Sequence, residues 1–272
     1  MRVAVVGHVE WVTFAPVDRF PAPGEILHAK DVLDLPAGGG PVAAVQLARL
    51  AGGCDLYTAL GDDELGHRSL VELERLGLRV HATFRAEPQR RAFTLIDATG
   101  ERTIVVIGSR LGPRASDPLP WDDLAQTDAV YFCAGDDDAL RAARRARVLV
   151  ATLREHERLA RVDPGCEAVC GSASDPSEPW EPGSFQSRLV VRTEGRDGGR
   201  YEAGGRWGRY APAALPGPIV DTYGGGDSFV GALTYALAAG LAAEDALALA
   251  ARAGAACITG RGPYEGQLTR PG

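Results

Sequence analysis

Short apolar runs alternate along this chain with longer segments whose apolar residues recur at helical spacing. The apolar runs predict buried strands, and the Ala- and Leu-rich segments between them predict helices. Strands are predicted at 2–7, 55–60, 128–134, 146–151 and 188–193, with short strands within 199–211. Helices are predicted at 41–52, 66–76 and 243–258, between the strands at 128–134 and 146–151, and after residue 227. This alternation predicts an α/β fold with a parallel sheet and helices on both faces.

Two stretches, 11–36 and 91–107, do not fit the alternation. The first is rich in Pro, Asp and aromatic residues, and the second holds two strands joined by a turn at 98–101. Strands joined by such short turns form hairpins. We therefore expect the two stretches to pair as a small separate sheet over one edge of the main sheet.

Composition narrows the class of protein. With 272 residues, 45% of them hydrophobic, the chain can form one large α/β domain or two small ones. Its net charge of −7 provides no basic field for nucleic acid or an anionic membrane. No transmembrane helix is predicted, and the N-terminus leads directly into a strand rather than a signal peptide. The five scattered cysteines form no zinc-binding set, and we interpret them as free thiols in a reducing cytoplasm.

Two residue types are scarce enough to exclude particular sites. The single lysine, Lys30, lies outside any glycine-rich loop, which excludes a P-loop and argues against a protein-kinase site. The chain has no asparagine, so any role that Asn usually fills must fall to another residue or be missing. Gly7 lacks the Gly-x-Gly-x-x-Gly spacing of a dinucleotide-binding turn, which argues against a Rossmann oxidoreductase.

The segment from Asp221 to Phe229 carries the strongest chemical signal. Three glycines, 224–226, end at Asp227, which opens a predicted helix. A helix start presents unpaired N–H groups and the positive end of its dipole, and glycines let the backbone approach an anion closely. Asp227 is then placed to take a proton from an attacking hydroxyl. The alternative interpretation is an Asp N-cap after a flexible turn.

This segment resembles the C-terminal signature of the ribokinase-like (PfkB) carbohydrate kinases, departing from it at Gly225, where Ala is usual. Further motifs similar to those of the family occur in matching order over nearly the whole chain. They are Gly7 after the first strand, the glycines of 37–40 before a helix, Gly61-Asp62-Asp63-x-x-Gly66, a hairpin turn at 97–102, and Thr193-x-Gly195-x-x-Gly198. Each of these is weak alone, and their shared order carries the resemblance.

The resemblance implies a fold and an activity. The fold is a single three-layer ribokinase-like domain over residues 1–272, with a mainly parallel central sheet flanked by helices and a small β-sheet lid formed by about 11–36 and 91–107. The activity is ATP-dependent phosphorylation of a hydroxyl of a small sugar or sugar-like polyol, by a cytoplasmic enzyme. The lid of this family can serve as a dimer surface, so the resemblance also implies a homodimer through the lid.

The same resemblance assigns roles to residues. Asp227 is the general base, and Gly224, Gly225 and Gly226 form the anion hole for the transferred phosphoryl group. The nucleotide-binding residues are Thr193, Gly195 and Gly198, for which a strand end followed by a turn is the alternative interpretation. The substrate-binding residues are Glu10, Trp11, Gly38, Gly39, Gly40 and Arg102.

ATP use and the family resemblance both imply bound cations. ATP implies Mg²⁺, which relatives commonly reach through an Asn-x-x-Glu motif. The matching region here is 171–178, where Asp175 and Glu178 are the candidates, although an Asp before Pro equally suits a turn. Asp221 and Thr222 are candidates for a loop that binds a monovalent cation such as K⁺, with simple turn hydrogen bonds as the alternative.

The substrate region departs most from the family. Relatives usually carry Asn and Asp after the first strand and an Asn where Val42 stands here, so a ligand other than plain ribose is indicated. Glu10 can bind sugar hydroxyls, but a solvated Glu10 and a Trp11 that only packs are the alternatives. His8 is interpreted as structural rather than catalytic.

Three other functions remain open from the sequence. A phosphorylated sugar would require basic residues, and Arg90, Arg91 and Arg102 lie on or near the lid. A nucleoside kinase would stack a base on Trp11 or Phe14. A non-catalytic sensor would keep only the fold, against which the intact Asp227 and its glycine loop argue.

Overall fold

In the computed structural model, which describes residues 1–270, nine strands form one large sheet and four form a small one. The strands are β1 (Val3–Val6), β2 (Glu10–Pro16), β3 (Leu33–Ala37), β4 (Cys54–Gly61), β5 (Leu78–Arg85), β6 (Arg91–Ile96), β7 (Arg102–Ile107), β8 (Ala129–Phe132), β9 (Val148–Thr152), β10 (Ala168–Ser172), β11 (Leu189–Thr193), β12 (Gly199–Ala203) and β13 (Arg206–Tyr210). The α-helices are α1 (Gly39–Ala51), α2 (Glu64–Arg75), α3 (Asp137–Ala143), α4 (His156–Val162), α5 (Gly225–Ala238) and α6 (Ala243–Cys257).

The large sheet has the order β13-β12-β11-β10-β9-β8-β1-β4-β5. From β11 to β5 every neighbouring pair is parallel, and β12 and β13 add an antiparallel edge. The central strands are continuously apolar, as in the fully buried β1 and β8, because helices cover both faces of the sheet. The predicted three-layer α/β fold with a mainly parallel sheet is confirmed.

The small sheet has the order β3-β2-β6-β7. Its strands come from the two stretches that broke the alternation, and β2 and β6 pair in parallel at its centre. The predicted small sheet is therefore confirmed, although residues 17–32 between β2 and β3 form no regular strand. The edge strand β7 is exposed along its whole length.

Helices α1 and α5 pack against each other at unusually short range. A Cβ added to Gly231 of α5 would lie 2.6 Å from the carbonyl oxygen of Ala43 in α1, which only glycine tolerates. Gln267 ties the same two helices together by donating from its side-chain amide to the Val42 carbonyl and to the Ser228 hydroxyl. This packing fixes the N-terminus of one helix relative to the other.

Three elements were not predicted from the sequence. Strand β5 alternates apolar with polar or charged residues, a strand pattern that the sequence analysis overlooked, whereas α4 and β10 are too short for periodicity to be distinctive. Strand β10 also ends in Gly and Ser, which are poor strand formers. The two strands are held by the sheet, because β5 pairs along its length with β4, and β10 lies between β9 and β11.

All five cysteines are buried free thiols, as predicted. Within residues 1–270, none of the helices combines the length and the apolar character needed to cross a membrane.

Candidate active site

Residues from several separate strands converge at the carboxyl edge of the large sheet. His8, Cys133, Arg154 and Thr193 each lie at or just beyond the carboxyl end of a parallel strand. In open α/β sheets, ligands bind at this edge, where loops from neighbouring strands meet. The start of α5 and the loop before α1 close the same region.

The start of α5 is the centre of the site. Gly224 has φ +81°, a left-handed conformation that favours glycine, and it turns the chain into α5 at Gly225. Asp227 lies in the first turn of α5 and is half-buried, while Gly226 beside it is exposed. The free N–H groups of this first turn and the helix dipole make the segment suitable for an anion.

A second helix start faces the first. Gly38 precedes α1 with φ +91°, and its N–H donates to the Tyr223 hydroxyl at 3.1 Å. A Cβ added to Gly39 would lie only 3.2 Å from Oδ1 of Asp227. The N-termini of α1 and α5 therefore meet at the Asp227 carboxylate, with no side chain between them.

Burial raises the pKa of the Asp227 carboxyl to about 6. The guanidinium groups of Arg154 and Arg102 oppose this rise, whereas Glu178 and Glu10 add to it. These four charged residues come from four separate segments of the chain and all act on one carboxylate. The site thus combines a proton acceptor with a pKa close to neutrality and a field for negative charge.

Glu10 is buried and belongs to a chain of charges. Its Oε1 lies 2.7 Å from Nε of Arg90 and 3.6 Å from Nε2 of His8. Although burial raises the pKa of Glu10, contacts with His8, Arg90 and Arg110 outweigh this effect and hold it below its usual value. Glu10 also contacts the glycine loop, because its Cγ would lie 3.3 Å from a Cβ on Gly38. The structure therefore brings Glu10 and Gly38–Gly40 together.

Trp11 lies on the other face of the small sheet. Adjacent residues of a strand point to opposite faces, so Trp11 points away from the side that Glu10 occupies. Its buried ring lies under the guanidinium of Arg68 on α2, 4.6 Å from ring centroid to Cζ. The structure does not bring Trp11 to Asp227, which corrects its expected place among the substrate-binding residues.

The hairpin turn between β6 and β7 docks on the segment before α5. Arg102 donates to the Thr222 carbonyl at 3.2 Å and to its hydroxyl at 2.9 Å, and that hydroxyl donates to the Gly100 carbonyl. The N–H of Thr222 donates to the same carbonyl. Arg102 is thus held at the glycine loop, while the Thr222 hydroxyl is occupied by the hairpin.

Asp221 is almost fully buried beside this contact. Its Oδ1 accepts the Tyr223 N–H at 2.8 Å, whereas its Oδ2 is buried without a hydrogen-bond partner in the described chain. Burial raises the pKa of Asp221. A buried carboxylate oxygen without a partner fits a bound cation.

Asp175 and Glu178 share one partner. Nη2 of Arg154 lies 2.6 Å from Oδ2 of Asp175 and 2.9 Å from Oε1 of Glu178. The other oxygen of Glu178 accepts the Ser172 N–H at 2.5 Å. Across residues 1–270, no group of three or more His, Cys, Asp or Glu side chains is arranged to hold a metal ion. Asp175 and Glu178 therefore share the single positive charge of Arg154.

Thr193, Gly195 and Gly198 lie in one turn after β11. The turn folds back through N–H donation from Glu194 to the Gly198 carbonyl at 2.8 Å. Thr193 pairs with Ser172 at the end of β10, so this turn adjoins the loop that carries Asp175 and Glu178. The positions suit a nucleotide that extends towards Asp227, and they suit a plain strand end equally well.

Arg154 and Arg110 are site residues that the sequence analysis missed. Arg154 comes directly after a strand whose carboxyl end could be predicted, and that position is a signal for a site residue in an α/β fold. Arg110 gives no such signal, because it follows the small sheet in an irregular segment. It reaches the site by pairing with Glu155, Nη1 to Oε1 2.7 Å, next to Cys133 and His8.

Comparison with known proteins places this geometry among kinases. The family model described as pfkB family carbohydrate kinase matches residues 1–270. The chain is 25% identical to the ribokinase of Bacillus subtilis (strain 168), over 99% of this chain and 97% of that protein. It is 31% identical to the ribokinase of Dictyostelium discoideum over 109 residues, which is 39% of this chain and 34% of that protein.

Solved structures share the fold. The ribokinase of Thermotoga maritima superposes with a TM-score of 0.78 at 20% identity, covering 99% of this chain and 97% of that one. The Arabidopsis thaliana ribokinase complexed with ribose and ATP gives a TM-score of 0.74 at 21% identity, covering 98% and 96%.

The raised pKa of Asp227 leads to a prediction about stability. Its pKa rises from 3.8 to about 6 on folding, so the native state binds this proton more tightly than the unfolded state. The stability that results is present below pH 4 and is lost as pH rises through 6, where a half-buried carboxylate must ionise. We expect Asp227→Asn to raise the free energy of unfolding at pH 8 by on the order of 2 kcal/mol, and the gain to vanish near pH 4.

Urea unfolding of the ligand-free protein at pH 4 and pH 8 measures this effect. Asp175→Asn is the matched control, because hydrogen bonds from Ser177 hold the pKa of Asp175 below its usual value. That variant should lose stability at pH 8. An Asp227→Asn variant no more stable than the parent at pH 8 would contradict the electrostatic argument.

Proposed function

The chain belongs to the pfkB family of carbohydrate kinases, and from this membership we propose that it transfers the γ-phosphoryl group of ATP to a hydroxyl of a small uncharged sugar. The observation that carries the proposal is the meeting of two helix N-termini at Asp227, with no side chain between Gly39 and the carboxylate. Such a site holds an anion and a proton acceptor side by side, which is what phosphoryl transfer to an alcohol requires.

Asp227 acts as the general base in this proposal. Its pKa of about 6 leaves the carboxylate mostly ionised at neutral pH, and the value lies near the optimum for accepting a proton. The sugar hydroxyl gives its proton to Asp227 while its oxygen attacks the γ-phosphorus in line. The O–P bond to the β-phosphate breaks, and ADP leaves. The N–H groups of Gly225 and Gly226 bind the equatorial oxygens, and positioning supplies most of the rate.

ATP is proposed to bind from the turn at 193–198 to the start of α5. The solved Arabidopsis ribokinase carries ATP, and in this chain the turn adjoins the Arg154 cluster and leads to Asp227. Mg²⁺ is proposed to arrive with the nucleotide phosphates, as it usually does when the protein supplies few ligands.

The substrate is proposed to lie between Glu10, Gly38–Gly40 and Arg102, under the small sheet. Because both sheets contribute residues, we also propose that the chain works as one domain. Aromatic stacking of a nucleoside finds no support, since Trp11 lies under Arg68 and the buried Phe14 packs edge-on against Tyr223. The observed contacts also favour an uncharged sugar over a phosphorylated one.

The arginines near the lid explain that preference. Arg90 is paired with Glu10, and Arg102 is hydrogen-bonded to Thr222. Arg91 is in register with Trp11 across the β2–β6 pair and so lies on the outer face of the small sheet. Each guanidinium is therefore either neutralised, held by the protein or directed outward, and a sugar phosphate would have to displace existing partners.

Turnover tests the proposal directly. Purified enzyme with MgATP is assayed for ADP release on D-ribose, D-fructose, fructose 6-phosphate and adenosine. We expect a neutral sugar to be the best substrate, with kcat/KM falling below about pH 6 as Asp227 takes up a proton. Asp227→Asn should lower kcat by about 10²–10⁴-fold with little change in ATP affinity by calorimetry. Turnover by that variant equal to the parent's would rule out Asp227 as the base, and ATP binding without turnover on any substrate would favour the sensor.

Asp221 leads to a prediction about monovalent cations. We propose that its unpaired Oδ2, with carbonyls of the neighbouring loop, binds a cation such as K⁺ and stabilises the segment before α5. Turnover in choline chloride should rise several-fold on addition of KCl, and Asp221→Ala should abolish the response. The control, Asp122→Ala, removes an exposed carboxylate in the segment before β8, at the amino edge of the large sheet, and should keep it. Equal turnover of the parent in choline and potassium buffers would contradict this assignment.

The edge of the small sheet supports self-association. Within residues 1–270, strand β7 has a neighbouring strand on one side only. Phe93 of β6 and Val105 and Ile107 of β7 expose 41%, 58% and 45% of their surface on the outer face of the small sheet. An exposed apolar edge strand pairs readily with a second strand. We propose that a second copy of this chain covers it. Sedimentation equilibrium should show a dimer that Val105→Lys dissociates, whereas Val71→Lys, at an exposed valine on α2, should not. A monomeric parent would contradict the proposal.

A further inference from the structure

His8 occupies a position that its interpretation as a structural residue does not explain. It directly follows Gly7 at the carboxyl end of β1, in the middle of the large sheet, and only 8% of its surface is exposed. A Cβ added to Gly39 would lie 3.2 Å from Oδ1 of Asp227 and 3.8 Å from Cε1 of His8. The imidazole and the catalytic carboxylate therefore approach the same point of the glycine loop from two sides.

The two ring nitrogens of His8 have different surroundings. Nε2 faces Oε1 of Glu10 at 3.6 Å, whereas Nδ1 is buried and has no hydrogen-bond partner in the described chain. Buried polar atoms are almost always paired, and an orphaned one in a native fold points to a group that binds there. The neighbours of the ring are residues of the site itself: Glu10, Gly39 and Cys133.

The protonation state of the ring follows from these neighbours. Burial lowers the pKa of His8, and the positive charges of Arg110 and Arg90 add to this effect against the opposing contact with Glu10. A neutral imidazole has one donor and one acceptor nitrogen. Because an ionised Glu10 can only accept, the proton belongs on Nε2, and Nδ1 is left as a bare acceptor.

We propose that Nδ1 of His8 accepts a hydrogen bond from a second hydroxyl of the sugar, adjacent to the hydroxyl that Asp227 deprotonates. This inference rests on the proposed function. The site then offers two acceptors on either side of Gly39, one on Asp227 and one on His8, and selects polyols with two neighbouring hydroxyl groups. A substrate that lacks the second hydroxyl leaves Nδ1 unpaired in the bound state, which is how a site built for a hydroxyl rejects deoxy analogues.

Two substitutions separate the ring nitrogens. The amide of Asn occupies the position of Nδ1 and can present its oxygen there, whereas the longer Gln places its amide near Nε2 and leaves the Nδ1 position empty. His8→Asn therefore keeps the proposed acceptor, and His8→Gln keeps only the contact with Glu10. Both variants remain neutral, so the charge around Asp227 is the same in each.

The experiment compares the parent and the two variants on one sugar and its monodeoxy analogues. The sugar is the one with the highest kcat/KM among D-ribose and D-fructose. We expect the parent to discriminate against one monodeoxy analogue by at least about tenfold in kcat/KM. His8→Gln should lose that discrimination through a higher KM for the full sugar, with the KM for ATP unchanged, and His8→Asn should retain it.

Equal discrimination in the parent and in His8→Gln would overturn the proposal, and so would loss of activity on all analogues alike. If His8→Gln unfolds, His8→Ala makes the same comparison with less bulk. Calorimetric titration of the sugars in the absence of ATP tests the proposed role of His8 separately from the proposed kinase activity. Sugar binding that depends on His8 without turnover would defeat the kinase proposal alone, whereas turnover with binding independent of His8 would defeat this inference alone. Absence of binding to the parent would defeat both.

Discussion

The close packing of α1 on α5 is the constraint on which the site depends. Gly231 lets the two helices approach until its α-carbon faces the Ala43 carbonyl, and Gly224 packs against Val42 a little further along. At that separation the helix N-termini meet, and Gly39 comes within van der Waals range of the Asp227 carboxylate. A bulkier residue at Gly231 would separate the termini, and the anion site and the base would then no longer share one point.

The charges around Asp227 are arranged in pairs, and this explains how a site with so many ionised groups stays folded. Arg154 bridges Asp175 and Glu178, Arg110 pairs with Glu155, and Arg90 pairs with Glu10. Burial raises the pKa of Asp227, and within residues 1–270 no ion pair of this kind offsets it. Of these five carboxylates, Asp227 is the one with a strongly raised pKa. It is also the one proposed to accept a proton, so the free-energy cost of burying an unpaired carboxylate falls on the proposed catalytic group.

The sequence was sufficient for the architecture and for the helix start at 225–227. The apolar runs gave the central strands because both faces of that sheet are buried, and the two stretches that broke the alternation formed the small sheet. Asp227 and its glycines were recognisable because a helix start is a local feature. The partners of Asp227 were harder to recognise, because each contact joins positions far apart in the chain. Nothing in the sequence around Glu10 indicates that it forms an ion pair with Arg90. Nothing in 171–178 indicates that Arg154 forms ion pairs with both carboxylates of that segment.

Trp11 shows the same limit of sequence-based prediction for a single side chain. Glu10 and Trp11 are neighbours in a strand, so one of them must face away from the site, but the sequence does not say which. Pairing of β2 with β6 decides the matter, since it directs Glu10 to Gly38 and leaves Trp11 to pack under Arg68 on α2. The choice between a sugar and a nucleoside thus depends on strand register, which is a tertiary property.

The segment 221–224, first noticed as the approach to an anion-binding turn, is also where the layers of the fold join. Thr222 holds the β6–β7 hairpin through Gly100 and Arg102, and Tyr223 packs on Phe14 of the small sheet while its hydroxyl accepts the Gly38 N–H. Asp221 supplies the unpaired carboxylate oxygen. Consecutive residues therefore connect the small sheet, the start of α1 and the start of α5. Any displacement of the small sheet would act on this segment, so the small sheet and the proposed anion hole are mechanically connected through it.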